Sequence, residues 1–562
     1  MESSEPIQLG SAAPVKGWES AVRAYQRGQP ERARRALAPV LASAPGDDEV
    51  LHLAGLIEVQ AECWDEAAGF LAEAAARAPE RSGRWLALAS ARRALGQARA
   101  AASALHEALA RDPCHAPALN DLGTSYHALG FYRDALDCHE RALEVAPDLV
   151  DALRCRPRLL ARLRQTDAAR AAYVDLLARA PADVEMRLEF AEFLERGHES
   201  EAATAELERA GQPDDRNLHA RAQALRARLL TRRGEARAAL ELLLAARRAT
   251  GADWLSYQEG ALLHDAGRPA AAMRAFRRAN AARAREWRFR RLRREDLTGT
   301  LQRKIDAGLA PGGRAPRDDG RPAPVFLLGL PRSGTTLLDR MIAAHPEIHV
   351  VEEPVSLQCA EDALERTGSL SGARAAYWAH IDGLGVNGRP VVVDKNPLHT
   401  VHLDVLARVF PDAPVIVLLR HPYDAALSCF MQDFDPNPAS LRFLDLEATG
   451  VLCSQLLRMI RQYEQAFPAR AIRLHYERLV TDYRSEVARV LSAMGCHWDP
   501  CIERFAARTG FVTTPSYQQV TRDVYASAVG RWQDYEPWIG PLRRHLGPLL
   551  AELGYRETSD VP

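Results

Sequence analysis

The sequence predicts an α-solenoid followed by a three-layer α/β domain with a parallel sheet. Three observations predict it. Prolines and small residues recur every 34 residues through the first half of the 562-residue chain. A short apolar run, a Gly/Pro/Ser turn and a helical pattern follow one another over Val325–Leu338. Further apolar runs in the second half each end in polar or charged residues, as parallel strands do where they deliver side chains to a ligand crevice.

The repeat comes first. Pro45, Pro79, Pro113, Pro147 and Pro181 lie 34 residues apart. Ala33, Ala67, Ala101, Ala135, Ala169 and Ala203 keep the same period, as do Gly55, Ala89 and Gly123. Each unit is expected to be two antiparallel helices, with small residues allowing close helix contact and the proline stopping one unit before the next. The clearest unit runs from Ala118 to Pro147, with Leu122, Gly123, Tyr126, Ala135 and Ala142. It resembles a tetratricopeptide repeat (TPR), and the resemblance covers roughly Trp18 to Ala282.

After Ala203 the register slips, although Gly234–Ala239 and Gly267–Ala272 still read as inter-helix turns. Seven or eight helix pairs in a right-handed superhelix are expected. Its concave face suits a peptide or partner, or the array only holds or dimerises the second domain. The expected boundaries are an N-terminal tail over 1–17, the superhelix over 18–300, a linker over 301–323 and the second domain over 324–562. Arg274 to Arg294 carries ten arginines with Trp287 and Phe289. It reads as the solvated last helix of the array, with an anion-contacting helix as the alternative.

The second half opens with Val325-Phe-Leu-Leu-Gly-Leu-Pro-Arg-Ser-Gly-Thr-Thr-Leu-Leu338. Backbone N–H groups at a helix start bind phosphate oxygens, and the helix dipole favours the negative charge. Gly329 and Gly334 let the backbone approach a ligand, and Ser333, Thr335 and Thr336 add hydroxyl donors. The glycine spacing fits a nucleotide triphosphate loop, but Thr335 stands where that loop needs its lysine. Arg332 supplies the cation instead, which suits a phosphate ligand lacking a γ-phosphate. Runs at Val325–Leu330, Val391–Val393 and Val415–Leu419 are followed by Arg332-Ser333, Asp394-Lys395 and Arg420. Three strand ends thus converge on one site.

Composition narrows the classes. Apolar residues make up 47% of the chain and the net charge is −1, so bulk charge points to neither nucleic acid nor a membrane surface. No run is long enough to span a bilayer, and Met1–Pro6 lacks a basic stretch followed by an apolar one. Nine scattered cysteines without a CxxC pair indicate neither zinc nor a disulfide framework, and a reduced, cytoplasmic setting is expected.

Pro331-Arg-Ser-Gly-Thr-Thr336 resembles the 5′-phosphosulfate loop of sulfotransferases, which use 3′-phosphoadenosine 5′-phosphosulfate (PAPS). Arg420 with Ser428 eight residues later resembles their 3′-phosphate motif. A guanidinium gives a planar clamp on phosphate and the serine adds a hydroxyl. By the same resemblance Tyr476, in Tyr476-Glu477, is a nucleotide-base contact, with a half-buried core tyrosine as the alternative. Thr514–Tyr517 and Val529–Trp532 resemble the family's late nucleotide loop, which makes Ser516 and Arg531 further contacts on the 3′-phosphate side and Trp532 a packing residue.

Tyrosylprotein sulfotransferases place a glutamate twenty-one residues after the loop arginine, and Glu353 has that spacing from Arg332. A carboxylate there can accept the proton of an attacking hydroxyl. Glu352 is the neighbouring candidate. His399 fits the histidine base of the small-molecule branch poorly, because Pro397 occupies that branch's histidine position. The resemblance gives Lys395 the task of stabilising charge on the bridging oxygen of the leaving phosphate. Two departures from the tyrosylprotein branch are Gln432 in place of a second arginine and Pro515 in place of a serine.

The expectation is a TPR–sulfotransferase fusion that binds PAPS, releases 3′-phosphoadenosine 5′-phosphate (PAP) and needs no metal. The acceptor hydroxyl would be a tyrosine of a protein or peptide held by the array, with a glycan or small metabolite as the alternative. A homodimer is compatible with the sequence. An adaptor with a non-catalytic nucleotide domain and a P-loop kinase are the competing classes. The intact set of Arg332, Glu353, Lys395 and Arg420 argues against the first, and Thr335 against the second.

Overall fold

The structure is a computed structural model that describes residues 17–286, 292, 296–309, 320–386, 388–505 and 529–557. The chain divides into two compact units, Met1–Leu176 and Leu177–Pro562. Among the described residues, eight helix pairs run from Trp18–Gln26 with Pro30–Ser43 to Ser256–Asp265 with Pro269–Arg285. In the first unit Ala33, Ala67, Ala101 and Ala135 are fully buried where two helices cross. A methyl added to Gly55 would lie 2.4 Å from Leu71 Cγ, so Gly55→Ala forces repacking at a cost of about 1–3 kcal/mol.

The period also governs the backbone. Gly28, Glu62, Gly96, Gly130, Arg164 and His198 are 34 residues apart, and all six adopt positive φ, between 57° and 80°. They form the turns between paired helices. Three of the six lack the freedom of glycine, and the repeat geometry imposes the conformation on them.

In the second unit a five-stranded sheet has the order β2-β3-β1-β4-β5, where β1 is Val325–Gly329, β2 Ile348–Glu352, β3 Val391–Lys395, β4 Val415–Leu419 and β5 Ala471–His475. All pairings are parallel, with Leu327 opposite Lys395 on one side and Ile416 on the other. Alternate side chains feed two layers. Phe326, Leu328, Val415 and Val417 face one core with Tyr377 and Leu456. Leu327, Ile416 and Leu418 face the other with Leu338, Ile342 and Val487. From β1 the chain builds β2 and β3 to one side and then crosses to β4. A crevice therefore opens at the carboxyl ends of β1 and β4, where open α/β sheets bind ligands.

Two expectations are corrected here. Over its described part the arginine-rich stretch is solvated on one face only, where Arg274, Arg277 and Arg285 are exposed. In Pro269–Arg285, residues Ala272, Met273, Phe276 and Ala279 belong to the same core as Phe326 and Tyr377. Arg278 bonds Glu259 at 2.8 Å, and Arg283 bonds Asp433 at 2.9 and 2.5 Å. Arginine count carries no information about distant carboxylate partners, and here those partners bury the guanidinium stems. Second, residues 301–307 are not linker: Leu297–Ala307 is a helix with Leu301 fully buried. Lys304 anchors it to Glu361 at 2.6 Å and to Asp404 at 3.0 Å.

Candidate active site

The turn after β1 reverses sharply onto the helix Thr335–Ala343. Gly334 caps that helix at φ 101°, and a Cβ there would lie 2.4 Å from the Tyr476 ring. Gly329 is equally constrained, since its Cβ would meet the Leu418 carbonyl at 2.4 Å. Arg332 adopts φ 68°. Outside the repeat turns, the non-glycine residues with positive φ among those described are Arg332 and Glu353, at 68° and 47°. Strain of this kind persists where surrounding structure over-determines the backbone. Ser333 is fully buried, and its hydroxyl has no hydrogen-bond partner among the described residues. Such a donor at a helix N-terminus fits an anion.

The end of β4 brings a second group to the loop. Arg420 Nη1 donates to the Arg332 carbonyl at 3.2 Å, and its guanidinium lies 5.1 Å from the centre of the Tyr476 ring. Arg332 Nε donates to Ser428 Oγ at 3.2 Å, from the helix Pro422–Phe430. Loop, Arg420, Ser428 and Tyr476 are thus one cluster. Asp424, one turn past Arg420, accepts N–H bonds from Gly530 and Trp532, both at 2.8 Å. That clamp brings Arg531 to the same helix, where its Nε is buried without a hydrogen-bond partner among the described residues. Trp532 stacks on His421 at 5.4 Å.

The end of β3 supplies the third group. Lys395 has a fully buried side chain, with Nζ 3.2 Å from Asp339 and 3.4 Å from Glu353. Burial alone would lower the ammonium pKa, but Asp339, Glu353 and Glu352 more than offset it and hold Lys395 above its ordinary range. Glu353 donates its own N–H to the Lys395 carbonyl at 2.7 Å, while its side chain remains about half exposed (47%). A buried cation and a half-exposed carboxylate therefore sit together beside the phosphate-type loop.

Residues 324–500 match the family model described as the sulfotransferase family. This stretch is similar to the domains of that family. Among curated relatives, the nodulation protein NoeE of Sinorhizobium fredii is 31% identical over 222 residues, 32% of this chain and 52% of the relative. Protein-tyrosine sulfotransferase 2 of Gallus gallus is 25% identical over 274 residues, 42% of this chain and 71% of the relative. The chain spans a third to about half the length of the first two curated relatives it matches. A tetratricopeptide repeat protein of Parabacteroides merdae of solved structure is 19% identical, covering 46% of this chain and 97% of that one with a TM-score of 0.35.

Within the α/β domain the structure brings together Arg332, Ser333, Gly334, Thr335, Thr336, Arg420, Ser428 and Tyr476, with Lys395 and Glu353 beside them. Ser516 lies outside the described residues. Tyr476 is 8% exposed, and its ring fills the space against Gly334 and beneath Arg420. Gln432, where the tyrosylprotein branch has an arginine, donates to the Asp433 carbonyl at 3.1 Å.

Sequence reasoning missed three groups. Asp339 carries a signal only in hindsight, as an acid inside an otherwise apolar helix start. Asp424 lies in the first turn of the helix Pro422–Phe430, with its carboxylate 3.9 Å from Arg420 Nη2. The third is a buried set behind the loop that carries Glu353. Asp394 accepts from Ser356 at 2.5 Å and from Tyr377 at 2.9 Å, with His399 3.1 Å away. His399 is thereby committed to the interior of the α/β domain. Burial pushes the Cys429 thiol, behind the loop, up to about 12, which makes it a packing group. His345, Glu347 and Cys496 have ligand-type atoms within 4.8 Å of one another. His345 already uses both ring nitrogens, against Glu347 N–H at 3.2 Å and the His497 carbonyl at 3.0 Å, so the trio does not read as a metal centre.

Proposed function

We propose that the chain is a PAPS-dependent sulfotransferase that moves a sulfonyl group to an acceptor hydroxyl. The acceptor we favour is a tyrosine of a protein or peptide held by the helical array. The observation that carries this reading is the meeting of Lys395, Glu353 and the Arg332–Thr336 loop at the ends of three adjacent strands. The unpartnered Ser333 hydroxyl and Arg531 Nε supply donors that fit a ligand bearing phosphate at both ends.

When bound, PAPS supplies the sulfonyl group, and PAP is what remains. The loop N–H groups, Ser333, Thr335 and Thr336 would hold the 5′-side, while Arg420, Ser428, Ser516 and Arg531 would hold the 3′-phosphate. Tyr476 packs beneath Arg420 and would contact the nucleotide base. Glu353 takes the acceptor proton on its carboxylate as the new O–S bond forms. Lys395 and Arg332 stabilise the negative charge on the bridging oxygen as the old S–O bond breaks. No metal has a part in this scheme, because the cations are side chains. No helix among the described residues is long and apolar enough to cross a membrane. The proposed setting is the cytoplasm, the partner a polypeptide and not nucleic acid or membrane, and a homodimer is compatible with it.

The test uses PAPS with short and long tyrosine-containing peptides, on the full chain and on a form lacking residues 1–176. The reading expects turnover of long peptides to fall in the truncated form while PAP binding is kept. Equal loss of both would remove the role of the array in holding the acceptor.

A further inference from the structure

We propose that Asp339 is the resident counter-ion of Lys395, and that by sharing the ammonium it keeps Glu353 from being its sole partner, so that Glu353 can serve the acceptor. This rests on the sulfonyl-transfer reading above. Asp339 lies in the helix Thr335–Ala343, the same helix whose N-terminus faces the anionic ligand. A buried acid near a phosphate site opposes ligand binding, so its place there needs a compensating role. It is 2% exposed, and its carboxylate is 3.2 Å from Lys395 Nζ, itself fully buried. Glu353 is 3.4 Å from the same ammonium but half exposed, on the side an acceptor can reach.

The formal charges decide the division of labour. Asp339 and Glu353 (−2) against one ammonium (+1) leave −1 even before Glu352 is counted, so Lys395 cannot neutralise both contacting acids. The buried member has no access to solvent and keeps the ammonium as its partner. The exposed member retains charge and can take up a proton. Asp339 is a positioning residue: it acts through Lys395 and touches no reacting atom. Its cost is repulsion of the nucleotide, and its benefit is a Glu353 carboxylate that does not hold the ammonium alone.

Asp339→Asn keeps the shape and removes the charge. PAP binding by calorimetry should tighten by about three- to tenfold, since a nearby like charge is lost. Transfer from PAPS to a synthetic tyrosine peptide should slow by about tenfold or more, because Lys395 then has Glu353 as its sole contacting carboxylate and holds it more tightly. A structural role alone would weaken both together. In the Lys395→Met background the same substitution should change transfer by less than about twofold, which a double-mutant cycle reads directly. Parallel loss of binding and rate, or a full effect of Asp339→Asn without Lys395, would overturn the assignment. Wild-type protein that fails to bind PAP would overturn the cofactor reading, and this inference with it.

Discussion

The side-chain amide of Asn280 donates to the carbonyl of Phe430 at 2.9 Å, across 150 residues of sequence. Phe430 ends the helix that carries Ser428, and its carbonyl is one that a helix leaves unsatisfied. Asn280 in turn accepts from the Tyr257 hydroxyl. Arg283 grips Asp433 just beyond, and Tyr535 faces His264 at 3.1 Å, close in sequence to Arg531. The last helix pair is therefore built into the support of the proposed 3′-phosphate site.

Asn280→Leu should cost about 1–3 kcal/mol, the penalty of leaving a buried carbonyl unpaired, and should weaken PAP binding as the Ser428 helix loosens. Urea unfolding and calorimetry check the two effects. A form lacking residues 1–176 should fold and bind PAP, whereas removal through Arg285 should give insoluble protein, because Phe276 and Phe326 share one core. Soluble, PAP-binding protein from the longer deletion would contradict this.

Gly334→Ala should abolish tight PAP binding. The added methyl meets the Tyr476 ring at 2.4 Å and the backbone holds φ 101°, so the loop must move at a cost of about 1–3 kcal/mol. Binding within twofold of wild type would show that the loop tolerates the shift.

Glu353→Gln should lower the transfer rate by at least about a hundredfold and leave PAP affinity within about threefold. Glu352→Gln is the comparison. Loss in the second variant and not the first would move the base by one residue.

Acid should destabilise the fold in a defined window. Burial holds His139, His380 and His475 near about 4 and His52 near about 3, against an ordinary 6.5. The native state keeps these rings neutral, so the unfolded chain binds more protons below 6.5. Their stabilising contribution is complete above 6.5 and is lost as pH falls towards 4, on the order of 1–3 kcal/mol per ring. Thermal unfolding from pH 8 to 4 reads it, and a Tm flat down to pH 4.5 would contradict it. Glu361 adds a later window. His402 and Lys304 overcome its burial and hold it near about 2, so its contribution is full above 4.5 and lost as pH falls through 2.

What was legible in the sequence was local. The 34-residue period, the strand–loop–helix at Val325–Leu338 and the strand-end residues Lys395 and Arg420 follow from short-range pattern and steric need. β2 and β5 were not drawn as strands: neither is a continuous apolar run, since His349 interrupts Ile348–Glu352 and Arg473, which bonds Glu464, interrupts Ala471–His475. Partnerships across long separations were invisible. Nothing near Asp339 announces Lys395, and nothing in the arginine run announces Asp433, because an ion pair has no sequence spacing once it crosses elements.

On the proposed reading the Arg332–Thr336 loop and Arg420 hold a nucleotide phosphorylated at both the 3′ and 5′ ends. Calorimetric titration of PAP into wild type and Arg420→Ala, with ATP as the comparison, tests it most directly. The account predicts binding of PAP in preference to ATP, weakened by about a hundredfold or more in the variant. No binding of PAP, or a preference for ATP, would contradict it.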